Sequence, residues 1–329
     1  MPGSNRCGKV VGRARLRTEG TLIGRPFTVT MSGYLSSEQR ERYARHLVLP
    51  GVEEEGQEKL LKSSVLVVGA GGLGSPALMY LAAAGVGRIG IIDNDTVSSS
   101  NLQRQIIHNS SWVGKSKVES ASNWIKGLNS DIDVVEMDDR LTHENSLEIL
   151  SGYDVIIDGT DNFQSRYLIG DACEILDKPW IFGSIHRFEG QVSTFNHNGG
   201  PNYRDLFPTP PPPELSPNCT EAGVLGVLPG IVGTFQSSEA LKVILGIGEN
   251  LRGKLLVIDA LTMEMRSLSF SKNPERVRVT RLGDSVSRDF GEIGAKDLFE
   301  RRQAGWKPFL LDVRRADEEA ISSIEGTDA

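Results

Sequence analysis

Cysteine is scarce in this sequence, and its three cysteines stand far apart. They are Cys7, Cys173 and Cys219 among 329 residues. An odd number of separated cysteines provides no disulfide framework and fits a reducing compartment, so we expect a cytoplasmic protein. Cys173 lies inside an apolar helical pattern and is expected to be a core residue.

Three further absences exclude classes of function. No apolar run approaches the roughly 20 residues of a membrane-spanning helix, so we expect nothing that spans a bilayer. The formal net charge of −7 argues against general nucleic-acid binding, which requires a basic surface. The G-x-x-x-x-G-K-[ST] phosphate loop is also missing, and with it the machinery of ordinary ATPases.

The most informative stretch that is present runs from Val65 to Asp95. Val65–Val68 are four apolar residues, too few for a helix and typical of a strand buried on both faces. A turn with G-x-G-x-x-G spacing follows, formed by Gly69, Gly71 and Gly74. Asp93 lies at about the distance where a dinucleotide-binding fold places its ribose-binding acid. Because a helix N-terminus with free N–H groups suits a phosphate, the stretch predicts a nucleotide site.

Beyond this stretch, predicted strands and helices alternate along the chain. We expect strands at 132–136, 154–158, 180–183, 191–195 and 254–259. Helices are expected at 163–176 and 230–245, and a further helix opens with residues 114–117 and runs to 128. Such alternation is typical of an α/β fold with a doubly wound, mostly parallel sheet of the Rossmann type. Residues 199–218 interrupt it, because they are too proline-rich for a helix or a central strand. A lid or crossover loop is expected there.

Composition divides the chain into four parts. Residues 1–31 are basic and poor in acids, and we expect a disordered extension. A transit peptide, or a start codon placed too early with Met31 opening the protein, are the alternatives. Residues 32–270 are the expected nucleotide-binding domain, and the charged residues 271–290 a linker. Residues 291–329 begin a new unit with a helix and a strand, which we expect to be incomplete.

Polar residues collect beyond the ends of the predicted strands. Asn101, Gln103 and Arg104 follow the second strand, at the edge where open α/β sheets bind ligands. Lys117 begins a helix, where its charge opposes the helix dipole and needs another partner such as a phosphate. Asp161 follows a later strand and suits Mg²⁺, which binds one or two carboxylates together with phosphate oxygens. A site that cleaves a triphosphate needs cationic side chains such as Arg104 and Lys117 to neutralise the phosphate charge, whereas a dehydrogenase with the same glycine turn does not.

Together these motifs resemble the MoeB/ThiF family, bacterial relatives of the ubiquitin-activating enzymes. Within it the chain is most similar to the MoeZ type, in which an adenylation domain precedes a rhodanese-like domain. The resemblance extends over about residues 35–270. It rests on RYARH at 42–46, GAGGLG at 69–74, DNDTVSSSNLQRQ at 93–105, VGKSKVESA at 113–121, DGTDNFQSRY at 158–167, EGQVSTF at 189–195, NYRDLFPTPPPPE at 202–214, NCTEAGVLGVLPGIVG at 218–233 and EALKVILG at 239–246.

The resemblance implies a reaction and a set of binding residues. Family members use ATP and Mg²⁺ to adenylate the C-terminal glycine of a small ubiquitin-like sulfur-carrier protein, and so prepare a thiocarboxylate. Asp93 would bind the ribose, and Asn162 would lie beside the adenosine. Asn101, Arg104 and Lys117 would hold the phosphates, and Asp161 the Mg²⁺. The full set of implied nucleotide contacts is Gly69, Gly71, Gly72, Gly74, Asp93, Ser100, Asn101, Leu102, Gln103, Arg104, Lys117, Asp161 and Asn162.

The resemblance also implies partners. Arg45 matches the arginine that relatives insert into the site of the partner subunit, so a homodimer is implied. Cys219 matches the cysteine that rhodanese-fused relatives use in sulfur transfer, and the alternative is an ordinary buried cysteine. Residues 291–329 resemble only the opening of a rhodanese domain. A separate sulfurtransferase or cysteine desulfurase is therefore the further partner, next to the sulfur carrier itself.

One departure from the family concerns zinc. Many members carry two C-x-x-C pairs, but Asn202 and Asp205 stand at the positions of the first pair and residues 273–279 contain no cysteine. Zinc is therefore not expected.

Two other functions remain open as alternatives. The chain could be a scaffold that binds the carrier without activating it, or an NAD-dependent oxidoreductase with the same glycine turn. The set Asn101, Arg104, Lys117 and Asp161 argues against both, because neither function needs it.

Overall fold

The computed structural model describes residues 35–210, 223–283 and 300–303. Cys7, Cys219, the predicted extension at 1–31 and most of the predicted rhodanese-like segment at 291–329 lie outside the described residues. The chain divides into two compact units, Met1–Arg42 and Tyr43–Ala329.

The described part of the first unit contains one helix, α1 (Ser37–Arg42). It begins with two reciprocal hydrogen bonds between a backbone N–H and a side chain. Ser36 N donates to Gln39 Oε1 over 3.1 Å, and Gln39 N donates to Ser36 Oγ over 3.1 Å.

The second unit is built on one eight-stranded sheet. Its strands are β1 (Ser64–Val68), β2 (Arg88–Ile92), β3 (Asp133–Met137), β4 (Val155–Asp158), β5 (Trp180–His186), β6 (Glu189–Phe195), β7 (Lys254–Asp259) and β8 (Met265–Ser269). They lie in the order β3-β2-β1-β4-β5-β6-β7-β8. The pairs from β3 to β5 are parallel and those from β5 to β8 are antiparallel, so the predicted mostly parallel α/β sheet is confirmed.

Helices cover both faces of this sheet. They are α2 (Ala44–Leu47), α3 (Glu53–Lys62), α4 (Gly74–Ala84), α5 (Lys117–Leu128), α6 (Ser146–Ser151), α7 (Phe163–Leu176), α8 (Tyr203–Leu206) and α9 (Leu228–Leu245). Val65 and Val67 of β1 pack with α4, α5 and α9, whereas Leu66 packs with α6 and α7. Successive side chains of a strand point to opposite faces, so the sheet is wound on both sides, as predicted. None of the described helices is both long and apolar enough to cross a bilayer.

The chain passes from β1 into α4 through the glycine turn. Gly69 has a φ of +96°, in the left-handed region that favours glycine. A side chain at Gly74 or Gly159 would overlap the carbonyl oxygen of Gly69. The turn after β1 and the loop after β4 therefore approach each other backbone to backbone.

Two short elements differ from the sequence prediction. The expectation that residues 199–218 contain no helix is wrong for α8. There Asn202 N donates to Asp205 Oδ2 over 2.7 Å and Arg204 N to Asn202 Oδ1 over 3.1 Å, which caps the helix, and Tyr203 packs on Trp180 with ring centroids 5.3 Å apart. The second element is the strand β8, which the sequence pattern does not predict. Its side chains are exposed along its whole length, so no buried face marks it in the sequence.

A group of charged side chains joins the chain after β8 to the body of the unit. We call Arg276, Glu174 and Asp205 the Arg276 cluster. Arg276 donates to both oxygens of Glu174 (Nη2 to Oε1 2.7 Å, Nη1 to Oε2 3.0 Å), and its Nε lies 2.7 Å from Asp205 Oδ1. The cluster ties residues 273–279, part of the predicted linker, to α7 and α8.

Candidate active site

A cavity of about 360 Å³ opens at the carboxyl ends of β1, β2 and β4. β2 and β4 flank β1 on opposite sides, so this crevice is the switch point at which open α/β sheets bind ligands. The structure brings together the glycine turn, the acid after β2, the predicted cations Arg104 and Lys117, and the loop after β4. The predicted site residues that line the cavity are Gly69, Gly71, Gly72, Asp93, Arg104, Lys117, Asp161 and Asn162.

Asp93 holds the glycine turn and the chain after β2 in place. Its Oδ2 accepts from Ala70 N over 2.8 Å, and its Oδ1 accepts from Asp95 N over 2.8 Å. Burial raises the pKa of Asp93, although the nearby charge of Lys117 and the two backbone N–H groups lower it. The carboxylate faces the cavity and keeps lone pairs that a ligand hydroxyl can use.

Lys117 is a buried cation at the start of α5. Its side chain is 6% exposed, and Nζ lies 2.7 Å from Oδ2 of Asp95, whose side chain is 65% exposed. In this structure the partner of the Lys117 ammonium is therefore the Asp95 carboxylate, whereas the sequence predicts a phosphate. Because Asp95 is free to turn toward solvent, an anion in the cavity can replace it.

The polar residues 100–104 divide into a cavity-lining and a supporting group. Arg104 lines the cavity, and its Nη1 donates to Ser100 O over 3.2 Å. Asn101 lies outside the lining, where its Oδ1 accepts from Ser98 N over 3.1 Å and closes a capping box on the short 3₁₀ turn Ser99–Asn101. The remaining predicted contacts that do not line the cavity are Ser100, Leu102, Gln103 and Gly74.

The loop after β4 presents Asp161 and Asn162 to the cavity. Asn162 Oδ1 accepts from Ser165 N over 2.8 Å and caps α7. Asp161 is exposed on the cavity wall. Within the described ranges no group of three or more His, Cys, Asp or Glu side chains could hold a metal alone. A single carboxylate fits Mg²⁺ only where a ligand supplies further oxygens.

Asp158, at the end of β4, is a buried acid to which the sequence prediction gave no role. Thr160 donates to its Oδ1 through N (2.9 Å) and Oγ1 (2.6 Å), whereas Oδ2 is buried without a hydrogen-bond partner. Burial raises the pKa of Asp158 to about 6, against the charge of Arg166 and the bonds from Thr160, which lower it. The Arg166 guanidinium lies 5.2 Å from the Phe163 ring. The sequence signal for this buried acid is its place at the end of an apolar strand.

Other predicted residues are not part of the cavity. Arg45 is exposed on α2 and does not line the cavity of its own chain. Cys173 is fully buried, and burial raises the pKa of its thiol, so the predicted core role is confirmed. Cavity-lining residues without a predicted role include Asp139, Arg140 and Leu141, which follow β3.

Most of the sequence is similar to known proteins. The pattern of the ThiF family matches residues 43–279. The probable adenylyltransferase/sulfurtransferase MoeZ of Mycobacterium tuberculosis is 45% identical over 317 residues, which cover 92% of this chain and 81% of that protein. The sulfur carrier protein adenylyltransferase of Thermus thermophilus is 50% identical over 244 residues, covering 73% of this chain and 90% of that protein.

The fold also matches a solved structure. MccB of E. coli superposes with a TM-score of 0.63 over 75% of this chain and 76% of that chain, at 19% identity. At this identity the likeness concerns the fold alone.

Proposed function

The chain belongs to the ThiF family, and we propose that it uses ATP to adenylate the C-terminal glycine of a ubiquitin-like sulfur-carrier protein. The observation that carries the proposal is the convergence of Arg104, Lys117, Asp93 and Asp161 on one glycine turn. The likeness to a sulfur carrier protein adenylyltransferase over 73% of the chain supports the same substrate class.

ATP binding follows from the residues of the cavity. Asp93 accepts hydrogen bonds from the ribose hydroxyls. Backbone N–H groups already orient both of its carboxylate oxygens. The N–H groups of the glycine turn and the start of α4 face the phosphates. Lys117 exchanges its carboxylate partner Asp95 for a phosphate oxygen, and Arg104 adds a second cation.

The reaction needs no protein nucleophile. A carboxylate oxygen of the carrier's terminal glycine attacks the α-phosphorus and forms a new P–O bond. The bond from the α-phosphorus to the bridging oxygen breaks, and pyrophosphate leaves with that electron pair. An acyl-adenylate remains. Positioning of the two reactants and neutralisation of phosphate charge by Arg104 and Lys117 supply the acceleration.

Asp161 is the proposed magnesium ligand. It would supply one carboxylate, and the nucleotide phosphates the other oxygens. Bound there, the ion neutralises phosphate charge. No structural zinc is proposed, because Asp205 takes part in an ion pair with Arg276 at a position where many family members carry a cysteine.

The proposed assembly is a cytoplasmic homodimer. Arg45 is exposed on α2 and lies outside its own cavity, which supports a role in the site of a partner subunit. Cys219 is proposed to act in sulfur transfer after adenylation, with a separate sulfurtransferase or cysteine desulfurase as donor. The adenylation step does not depend on that role.

ATP–pyrophosphate exchange tests the proposal. Exchange should depend on a carrier that ends in Gly-Gly, and Asp161→Ala should abolish it. The matched control is Asp133→Ala, which removes an acid paired with Arg88 on the exposed edge of the sheet and should leave exchange unchanged. Exchange that persists in Asp161→Ala would remove the metal role of this residue.

The same assay separates the alternatives. A scaffold would bind the carrier and show no exchange with the wild-type protein. An oxidoreductase would bind NAD in preference to ATP, which titration calorimetry measures directly.

A further inference from the structure

His108 is a buried histidine next to the cavity that the sequence prediction does not single out. It is 6% exposed and lies between two elements of the site. Its Nε2 is 2.9 Å from Ala70 O in the glycine turn, and its Nδ1 is 2.9 Å from Ser120 Oγ in α5, the helix that begins with Lys117.

The chemistry of these partners fixes the proton positions on the ring. A carbonyl oxygen can only accept, so Nε2 of His108 carries the hydrogen that is donated to Ala70. Burial lowers the pKa of His108, and the charge of Lys117 lowers it further, although the bond to Ala70 raises it. The neutral ring then accepts from the Ser120 hydroxyl through Nδ1.

The bond to Ala70 fixes the orientation of a peptide group that borders the cavity. Ala70 is fully buried, and its N–H donates to Asp93 over 2.8 Å, so side chains hold it on both sides. In a trans peptide the carbonyl of one residue and the N–H of the next point in opposite directions. With Ala70 O directed at His108, the N–H of Gly71 is directed away from it. None of the described residues accepts from that N–H, and Gly71 lines the cavity.

We propose that His108 is a positioning residue that holds the Ala70–Gly71 peptide so that the Gly71 N–H points at a phosphate of the bound nucleotide. This inference rests on the proposed ATP site. His108 touches no substrate; it acts through the glycine turn. It also ties that turn to α5, so the N–H donor and the Lys117 cation keep a fixed spacing.

Nucleotide binding in the absence of carrier tests this role. In His108→Leu the donor to Ala70 is lost at similar volume, whereas in His108→Gln a carboxamide N–H can still reach Ala70 O. The matched control is His197→Leu, at a half-buried histidine whose Nε2 lies 3.1 Å from Asn198 Nδ2, outside the cavity lining. ATP affinity is measured by titration calorimetry, adenosine affinity by competition, and the melting temperature of each variant by scanning calorimetry.

His108→Leu should bind ATP about tenfold more weakly, as expected for one lost hydrogen bond to a charged group. Its affinity for adenosine, which has no phosphate, should stay at the wild-type value. His108→Gln should recover most of the ATP affinity, and His197→Leu should bind both ligands like the wild type.

Two results would overturn the inference while leaving the ATP site intact. One is an unchanged ATP affinity in His108→Leu. The other is an equal loss for ATP and adenosine that follows the melting temperature in both His108 variants, which is the behaviour of a purely structural residue. If the wild-type protein binds neither ligand, the proposed function itself is wrong, and this inference with it.

Discussion

Replacing Arg276 by methionine removes the cation of the Arg276 cluster while keeping most of the side-chain volume. Arg276 is 16% exposed, Glu174 is 6% exposed and Asp205 is 1% exposed at their side chains. The two acids would therefore stay buried without their shared partner. Removal of one partner from a buried ion pair typically costs about 3–5 kcal/mol. Because Arg276 retains some exposure, we expect a loss of about 3 kcal/mol in the free energy of unfolding, a large part of the roughly 5–15 kcal/mol of a typical domain.

The pH dependence of this loss has a defined sign. Burial alone would raise the pKa of Asp205, but the bonds from Arg276, Asn202 N and Asn273 N outweigh it and hold the pKa below the ordinary value of 3.8. A lowered pKa adds stability that is fully present above 3.8 and disappears as the pH falls through the folded value. Arg276→Met loses part of that contribution, so its stability deficit should shrink as the pH drops below 4.

Urea unfolding followed by tryptophan fluorescence, at pH 7 and at pH 3.5, measures both effects. The control is Arg88→Met, because Arg88 and Asp133 are 53% and 65% exposed and such pairs contribute less than about 1 kcal/mol. A deficit in Arg276→Met no larger than that of Arg88→Met, or one that does not change with pH, would show that the buried acids do not depend on Arg276.

Two further predictions concern the cavity and its support. Asp158→Asn should be more stable than the wild type at pH 8 by up to about 3 kcal/mol. Burial raises the pKa of Asp158 from the ordinary 3.8 to about 6 in the folded state, and each pKa unit of difference from the unfolded state corresponds to about 1.4 kcal/mol. An acid with a raised pKa favours the folded state below pH 3.8 and costs stability as the pH rises through 6, so the advantage of Asp158→Asn over the wild type should vanish near pH 4. Urea unfolding at pH 8 and at pH 4 measures this, and an equal advantage at both pH values would contradict it. Lys117→Met should weaken ATP binding at least about tenfold through the loss of a charge-assisted phosphate contact, whereas Asp95→Asn, which frees Lys117 from its ion pair, should not weaken it. Calorimetric titration of both variants checks this, and wild-type affinity in Lys117→Met would contradict it.

Much of the fold can be predicted from the sequence wherever local pattern and burial agree. The helix Phe163–Leu176 and the strand Lys254–Asp259 have the bounds that the pattern predicts. The helix begins directly after its Asn162 cap, and polar residues stand at both ends of the apolar run of the strand. The strand Met265–Ser269 cannot be found this way, since pairing with β7 forms it and its side chains are exposed. The helix Tyr203–Leu206 depends on burial of Tyr203 among aromatic rings, which its proline-rich surroundings do not indicate.

The candidate site shows the same division. The glycine turn, Asp93 and Asp161 can be identified from spacing, because a turn, a ribose acid and the end of a strand impose fixed distances along the chain. His108 and Asp158 are single titratable residues without a motif around them. The contact of His108 with Ala70 and the effect of the Arg166 charge on Asp158 both follow from the fold. The ion pair of Lys117 with Asp95 bridges 22 residues and likewise follows from the fold alone.

The most direct test of the central proposal is mass spectrometry of the carrier after incubation with this protein, ATP and Mg²⁺. We predict a carrier species heavier by one adenylyl group. It is absent when the terminal glycine of the carrier is deleted, and hydroxylamine converts it into the carrier hydroxamate with release of AMP. An unmodified carrier, in the presence of a protein that binds ATP and the carrier, would contradict the proposed adenylation.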